Sequence, residues 1–318
     1  MAAGRSASQG VCSGLPAVKA LVLGSSGFLG SYLGFALPGL GWQVAGISRD
    51  GAEFFPGHRH VNSADEIDGV LQGGGYDLVI NAIAMASHER CDTDPAQALL
   101  INATLPGRWS AACARTGMKF VHISTDAVFD GESTTPYEEA DSPKPLGVYG
   151  TSKRAGEEAV SQANPDALIL RTNFYGWSRA GNTGILDFFV NAFSQGTAIT
   201  GFTDYRVSSI YTGDLVDAMV GAVSGDARGV FHAAASDAAS KYDFGLAVAA
   251  EFGLDSSSMI PGTLADVATL VARGRNLALS TAKIEGVLGR PMPSSFSGLA
   301  RARAERLALM DYFGHSTL

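Results

Sequence analysis

Near the start of the chain an apolar strand pattern runs straight into three regularly spaced glycines, Leu21-Val22-Leu23-Gly24-Ser25-Ser26-Gly27-Phe28-Leu29-Gly30. A strand that turns so sharply into a helix has few ways to fold. Gly24 permits the tight turn, Gly27 lets a ligand approach the backbone, and Gly30 lets the helix lie close to the strand. The helix opening at Phe28 offers free N–H groups and a partial positive charge, which together suit phosphate. Ser26, Phe28 and Leu29 fill the same turn and join the three glycines as expected cofactor contacts. The spacing is G-x-x-G-x-x-G, not the G-x-G-x-x-G of the usual dinucleotide turn. Its weight therefore comes from context, because it follows a strand and opens a helix.

The pattern downstream keeps to the same rhythm. Strand-like runs at Lys19–Leu23, Gln43–Ser48, His60–Asn62, Asp77–Ala82, Lys119–Ser124 and Ala167–Thr172 alternate with helical runs at Phe28–Leu37, Ala64–Leu71, Asp94–Thr116 and Val148–Gln162. This alternation predicts an α/β fold with a Rossmann-type, doubly wound parallel sheet, whose ligands bind beyond the carboxyl ends of the strands. Beyond Asn173 the order loosens. Helices are expected at Thr183–Ser194, Gly213–Val223, Lys241–Phe252 and Ser297–Leu309, with a late strand at Gly229–Ala233. The expected division is a flexible tail over 1–17, a dinucleotide-binding domain over 18–177, and a smaller lobe over 178–318. That lobe is mainly substrate-binding, with elements free to return to the sheet.

Composition excludes several classes. A formal charge of −8 on 318 residues argues against a nucleic-acid partner, which needs a basic surface. The apolar stretch around residues 20–40 is broken by Gly24, Gly27, Gly30, Gly34 and Pro38, so it does not make a membrane anchor. Residues 1–17 lack the apolar centre of a signal peptide. Cys12, Cys91 and Cys113 form no C-x-x-C pair and read as reduced thiols, which points to the cytoplasm. His58 and His60 lie close together but have no evident third ligand, so no metal is expected.

Two further segments carry chemistry. Tyr149 and Lys153 are four apart on a predicted helix and share one face. A free phenol titrates near pH 10, and a neighbouring ammonium is expected to lower that value and make Tyr149 a usable acid. Lys153 is also placed to bond the nicotinamide ribose. The strand Phe120-Val121-His122-Ile123-Ser124 delivers Thr125 to its carboxyl end, where the hydroxyl can bond a substrate carbonyl. At the tip of the second strand stand Ser48 and Arg49, where NAD-binding chains carry an acid. Ser48 can donate to a phosphate and Arg49 can bind it bidentately, which favours NADP(H); Asp50 keeps NAD(H) open.

The order glycine turn, Ser124-Thr125-Asp126, Tyr149-x-x-x-Lys153 resembles an extended short-chain dehydrogenase/reductase. Within that group the chain is most similar to the dTDP-4-dehydrorhamnose reductase (RmlD-like) family. The resemblance is carried by Asp77 to Ala82, Leu100-Ile101-Asn102-Ala103, Ser124 to Gly131, Pro145 to Lys153, and Leu170-Arg171-Thr172-Asn173. It is dense over residues 19–177 and thinner after, where Arg206, Tyr211 to Leu215, Arg275-Asn276 and Leu279-Ser280-Thr281 still echo the family. It implies that Thr125, Tyr149 and Lys153 are catalytic. It implies that Ala82, Ile83, Ala84, Thr172 and Asn173 line the cofactor, and that Asp126, Val128, Phe129 and Asn173 face the substrate. Met85 stands where the family usually has an aromatic residue, and the loop Thr203–Ser209 is unlike the usual one, so the sugar stays unassigned.

The reaction so implied is NAD(P)H-dependent reduction of a nucleotide-linked 4-keto-(6-deoxy)sugar. Tyr149 protonates the developing alkoxide and Thr125 polarises the same oxygen. Arg206, Arg273 and Arg275 are the expected contacts for the substrate diphosphate, with Arg206 preferred and Arg275 beside it. Two alternatives stay open. One is an epimerase of the same fold; dehydration is disfavoured because Ala127 stands where dehydratases place Glu. The other is a non-catalytic NADP-binding partner like the regulatory subunit of methionine adenosyltransferase, for which Gly314–Leu318 offers no docking signal. The sequence permits a homodimer.

Overall fold

In the computed structural model, residues 18–266 and 274–314 are described. The 1–17 tail, Cys12, Arg273 and the last residues of the chain lie outside that range.

The central sheet is built of β1 (Lys19–Leu23), β2 (Gln43–Ser48), β3 (Arg59–His60), β4 (Leu78–Asn81), β5 (Lys119–Thr125) and β6 (Leu168–Tyr175). All pair in parallel, in the spatial order β6-β5-β4-β1-β2-β3. The chain reverses direction across the sheet after β3, so the carboxyl ends of β1 and β4 flank the crevice where such folds hold ligands. Helices α1 (Phe28–Gly39), α2 (Ala64–Gly73), α5 (Leu105–Thr116) and α6 (Gly147–Ala163) cover the faces. Leu21, Leu23, Val79, Phe120 and Ile169 form one buried face with Trp109 and Val160, while Val22, Ile80, Val121 and Leu170 serve the other. This alternation along each strand makes both faces apolar, as a sheet covered on both sides requires.

Later elements return to this sheet. In the region after residue 177, β7 (Ile199–Phe202) pairs with β12 (Met259–Gly262), and β8 (Arg206–Val207) lies between β11 (Ala239–Ser240) and β13 (Asn276–Leu277). From the same region β9 (Ser209–Tyr211) and β10 (Gly229–His232) both pair in parallel with β6. Helices α7 (Ile185–Ser194), α8 (Thr212–Ser224), α9 (Lys241–Phe252), α10 (Ala282–Leu288) and α11 (Gly298–Tyr312) complete it. The largest core cluster runs from Ala20 through Phe189 and Tyr211 to Leu309, so both halves of the chain share one apolar interior.

The helical stretch before β5 departs from the sequence expectation. The long helix anticipated over Asp94–Thr116 is divided: α3 (His88–Thr93) precedes it, then α4 (Pro95–Leu99), a π-helical turn over Leu100–Thr104, and α5. Pro106 supplies the reason. It has no N–H to return to the carbonyl of Asn102, so the ladder opens there and widens into a π turn. Gly156 of α6 packs on that carbonyl; a Cβ at Gly156 would stand 2.0 Å from Asn102 O. Gly156→Ala should therefore cost about 1–3 kcal/mol of stability. Gly286→Ala in α10, where a methyl would meet nothing within 4 Å, should be neutral or stabilising by up to about 1 kcal/mol. Urea unfolding compares them, and equal effects would contradict the close packing.

Candidate active site

The glycine turn sits at the carboxyl end of β1. Its amides Gly24 N and Ser25 N donate to Ile47 O at 2.8 and 3.0 Å, and Gly27 N donates to Gly24 O at 3.0 Å. Gly24 has φ +89°, and a Cβ there would press on Ile83 at 3.0 Å. At Gly30 a Cβ would lie 2.0 Å from Gly24 O, so this residue sets how closely α1 approaches the turn. Unlike α2, which is capped by Ser63 and carries Asp65 and Glu66, α1 has neither a side-chain cap nor an acidic first turn. The Ser25 hydroxyl is buried beside it with no hydrogen-bond partner among the described residues. These features fit an anion supplied from outside: N–H groups with no side-chain cap, a positive helix end and a cradle that a methyl would fill. Ser26 is half-buried, Gly27 exposed and Leu29 buried, and the Phe28 ring stacks on Phe174 at 5.6 Å.

At the tip of β2, Ser48 is buried. Its hydroxyl donates to Asp50 O at 2.5 Å and pairs with His58 Nε2 at 2.9 Å, while Arg49 is exposed. His58 was not singled out by sequence for this position. After β4, Ala82 and Ile83 are half-buried and Ala84 is exposed. Asn102 pins this loop from the π turn: its side chain accepts Met85 N at 2.8 Å and donates to Met85 O at 3.1 Å and to Ser152 Oγ at 2.9 Å. Met85 packs with Cys91 and Ala98 beneath Tyr149.

The candidate acid–base residues come from α6 and β5. One cleft is lined by Thr125, Asp126, Phe129, Tyr149 and Asn173, together with His88, Leu146, Tyr205, Gly274 and Leu277. The His88 ring lies 4.6 Å from that of Tyr149. Burial pushes the Tyr149 phenol up to about 12, and the hydrogen bond with Thr125 pulls only partly the other way. The lowering expected from Lys153 is absent. The reason is that Lys153, buried at 1% exposure, is itself pushed down to about 8 by loss of solvent. Its Nζ donates to Ile123 O at 2.7 Å and lies 3.5 Å from His122 Nε2. The phenol thus keeps its proton at neutral pH and stands as an acid rather than a base.

Thr125 Oγ1 donates to Asp126 Oδ1 at 3.0 Å, and the other carboxylate oxygen accepts Asn173 Nδ2 at 2.8 Å. Asn173 Oδ1 in turn accepts Ser209 Oγ at 2.5 Å, which ties the cleft to β9. Thr172, paired in register with Thr125, has a buried hydroxyl with no partner among the described residues. Phe129 stacks on Tyr137 at 4.1 Å under the Arg171 guanidinium, whereas Val128 is buried in the same cluster, away from the cleft wall. Arg171 is held by Glu157 in a fully buried pair, 2.8 Å to each oxygen. Arg206 donates to Ala238 O at 2.6 Å, and Arg275 is exposed 3.9 Å from Asp204; neither lines the cleft. Each is the chain neighbour of a residue that does, Tyr205 and Gly274.

A glycine turn at the carboxyl end of β1 and a tyrosine–lysine pair on α6, in a fold built on a parallel sheet, are the layout of a short-chain dehydrogenase/reductase, and this chain is an oxidoreductase of that class. A family model described as RmlD substrate binding domain matches residues 18–306, and the chain belongs to that family. It is 32% identical over 299 residues to a probable low-salt glycan biosynthesis reductase of Haloferax volcanii, covering 92% of this chain and 99% of that one. It is 32% identical over 271 residues to the dTDP-4-dehydrorhamnose reductase of Mycobacterium tuberculosis, covering 83% and 85% of the two chains. In fold it is similar to a dTDP-4-dehydrorhamnose reductase of Bacillus anthracis solved with NADP, at a TM-score of 0.81 and 22% identity, over 92% of this chain and all of that one.

Burial raises the Asp126 carboxyl to about 6, against hydrogen bonds from Asn173 and Thr125 that favour its charge. The folded group therefore binds its proton more tightly than the unfolded one. Its contribution favours folding in acid and is lost as pH rises through about 6. Asp126→Asn should gain on the wild type by about 1–3 kcal/mol between roughly pH 4 and pH 8. Denaturant midpoints across that range measure the difference, and parallel curves would show that Asp126 does not bear this cost.

Proposed function

We propose that the protein reduces the ketone of a nucleotide-linked 4-keto-6-deoxysugar, using NADPH. The observation that carries this reading is the Tyr149 phenol, which burial keeps protonated, set with Thr125 in one cleft. The reductases named among the relatives support the substrate class, and the NADP bound by the Bacillus anthracis protein supports the cofactor.

The residues of the turn suit the pyrophosphate: Gly24 and Gly27 keep the surface open, and the α1 N-terminus supplies donors and positive potential. Arg49 at the tip of β2 is our assignment for the 2′-phosphate, beside Ser48, whose hydroxyl already bonds Asp50 O and His58. Thr172 and Asn173, with Ala82 to Ala84, would flank the nicotinamide end. When bound, the nicotinamide supplies hydride to the substrate carbonyl carbon. Tyr149 gives its proton to the oxygen as charge develops there, and the Lys153 ammonium offsets the tyrosinate left behind. Thr125 bonds the same oxygen, for which the ketone must compete with Asp126. Asp126, Phe129 and Asn173 shape the sugar pocket, Val128 backs it, and the region after residue 177 covers the nucleotide. Arg206 and Arg275 are our assignment for the diphosphate, reached through the loops that hold Tyr205 and Gly274.

Loss of NADPH absorbance with a panel of keto-sugar nucleotides tests the activity. Turnover should appear with at least one, and Tyr149→Phe should lower kcat at least a hundredfold, on the order expected for losing a general acid, with cofactor affinity kept. Turnover of simple ketones alone would redraw the substrate class, and a Phe variant that keeps its rate would remove Tyr149 from the chemistry. Arg49→Ala should raise the KM for NADPH several-fold and leave that for NADH unchanged; equal effects would give Arg49 a structural role.

A further inference from the structure

Behind the cleft, three polar side chains stand in a row inside the sheet: Asn81 of β4, His122 of β5 and Lys153 of α6. All three are buried, with Asn81 and His122 fully so. Their hydrogen-bond directions are fixed from one end. Asn81 Oδ1 accepts Ile83 N at 3.1 Å, and only an oxygen can do so. The amide nitrogen therefore faces the histidine, 3.0 Å from Nδ1. That nitrogen carries only hydrogens, so Nδ1 must accept. The ring proton is then confined to Nε2, which lies 3.5 Å from Lys153 Nζ.

An N–H thus points at an amine. Facing an ammonium it meets a second donor, whereas facing the free base it meets a lone pair. We propose that Asn81 and His122 are positioning residues that ease the loss of the Lys153 proton by presenting the amine with a donor. His122 touches neither substrate nor the reacting atoms; it acts through Lys153.

The surroundings leave this role to His122. Glu157, one turn further along α6, favours the charged lysine, but its carboxylate is already bound to Arg171 of β6, Ser124 of β5 and Arg154. Ile123 O on β5 accepts from the amine in either state. On the cleft side Tyr149 stays protonated, and Asp126 acts on it rather than on the lysine. From the π turn, Asn102 reaches Ser152 and Met85 and not Nζ. His122 is held neutral by burial and by the lysine charge, so it does not titrate in the working range. The consequence for turnover rests on the reductase reading: with Lys153 near 8, the rate falls above about that pH as the ammonium is lost.

The test is nuclear magnetic resonance of the full chain without cofactor, with nitrogen-labelled histidine and lysine labelled at the ε-carbon. The His122 ring should show Nε2 protonated and Nδ1 bare across neutral pH. Asn81→Asp is isosteric and accepts where the amide donated. It should move the ring proton to Nδ1, turn Nε2 into an acceptor and raise the Lys153 midpoint by about one unit or more. His122→Phe removes the donor without adding charge and should raise that midpoint too. In an active enzyme the alkaline limb of kcat should move with it. A wild-type ring protonated on Nδ1, or a Lys153 midpoint unmoved in His122→Phe, would overturn the proposal. If His122→Phe does not fold, the ring tautomer in the wild type and in Asn81→Asp decides alone. A wild type that turns over no sugar nucleotide would sink the reductase reading and leave these spectra to judge the pair.

Discussion

An amine with 1% exposure sits under the cleft, and much of the surrounding structure answers to it. Lys153 can stay there because Ile123 supplies a carbonyl and Glu157 a compensating charge one turn away, while the His122 ring turns a donor toward it. Burying a charged group without such partners is strongly unfavourable, and the usual outcome is a shifted protonation equilibrium. That is the state found here. The same dry environment keeps the Tyr149 phenol protonated. Two groups on one helix face are thus poised in opposite directions by a single cause, with the phenol reluctant to lose a proton and the amine ready to.

The π turn is what lets α6 come close enough for this. Pro106 removes the N–H that would bind Asn102 O, Gly156 packs on that carbonyl, and the side chain of Asn102 holds the loop after β4. The loop after β4 and α6 are therefore tied through one asparagine. On the other side, Asn173 links Asp126 to Ser209, so β9 steadies the cleft from the later half of the chain. The shared core from Ala20 to Leu309 gives these links a common rigid base.

Much of this was legible in the residues because backbone sterics leave little choice. Gly24 and Gly30 mark a turn that a methyl would fill, and the alternation of period-two and helical patterns gave the parallel sheet. The boundaries of β1, β2 and α9 match their apolar runs. The π turn was hidden because the helical apolar pattern continues through Pro106 without a break. The strand β6 extends to Tyr175, beyond the anticipated Thr172, because Asn173 to Tyr175 pair with β9, a partner far away in sequence. His122 passed as one more residue of an apolar strand, and only the pairing of β4 with β5 brings Asn81 beside it. The direction of the Tyr149 shift was misjudged because spacing places charges on a helix face and says nothing of their burial.

The central claim is direct hydride transfer to a sugar ketone, and isotope tracing tests it most directly. NADPH deuterated at the transferring position, given with a 4-keto-6-deoxysugar nucleotide, should leave one deuterium on the carbon that bore the ketone and consume one cofactor per product. A sugar that returns epimerised, without deuterium and with the cofactor intact, would contradict the account and make the protein an epimerase.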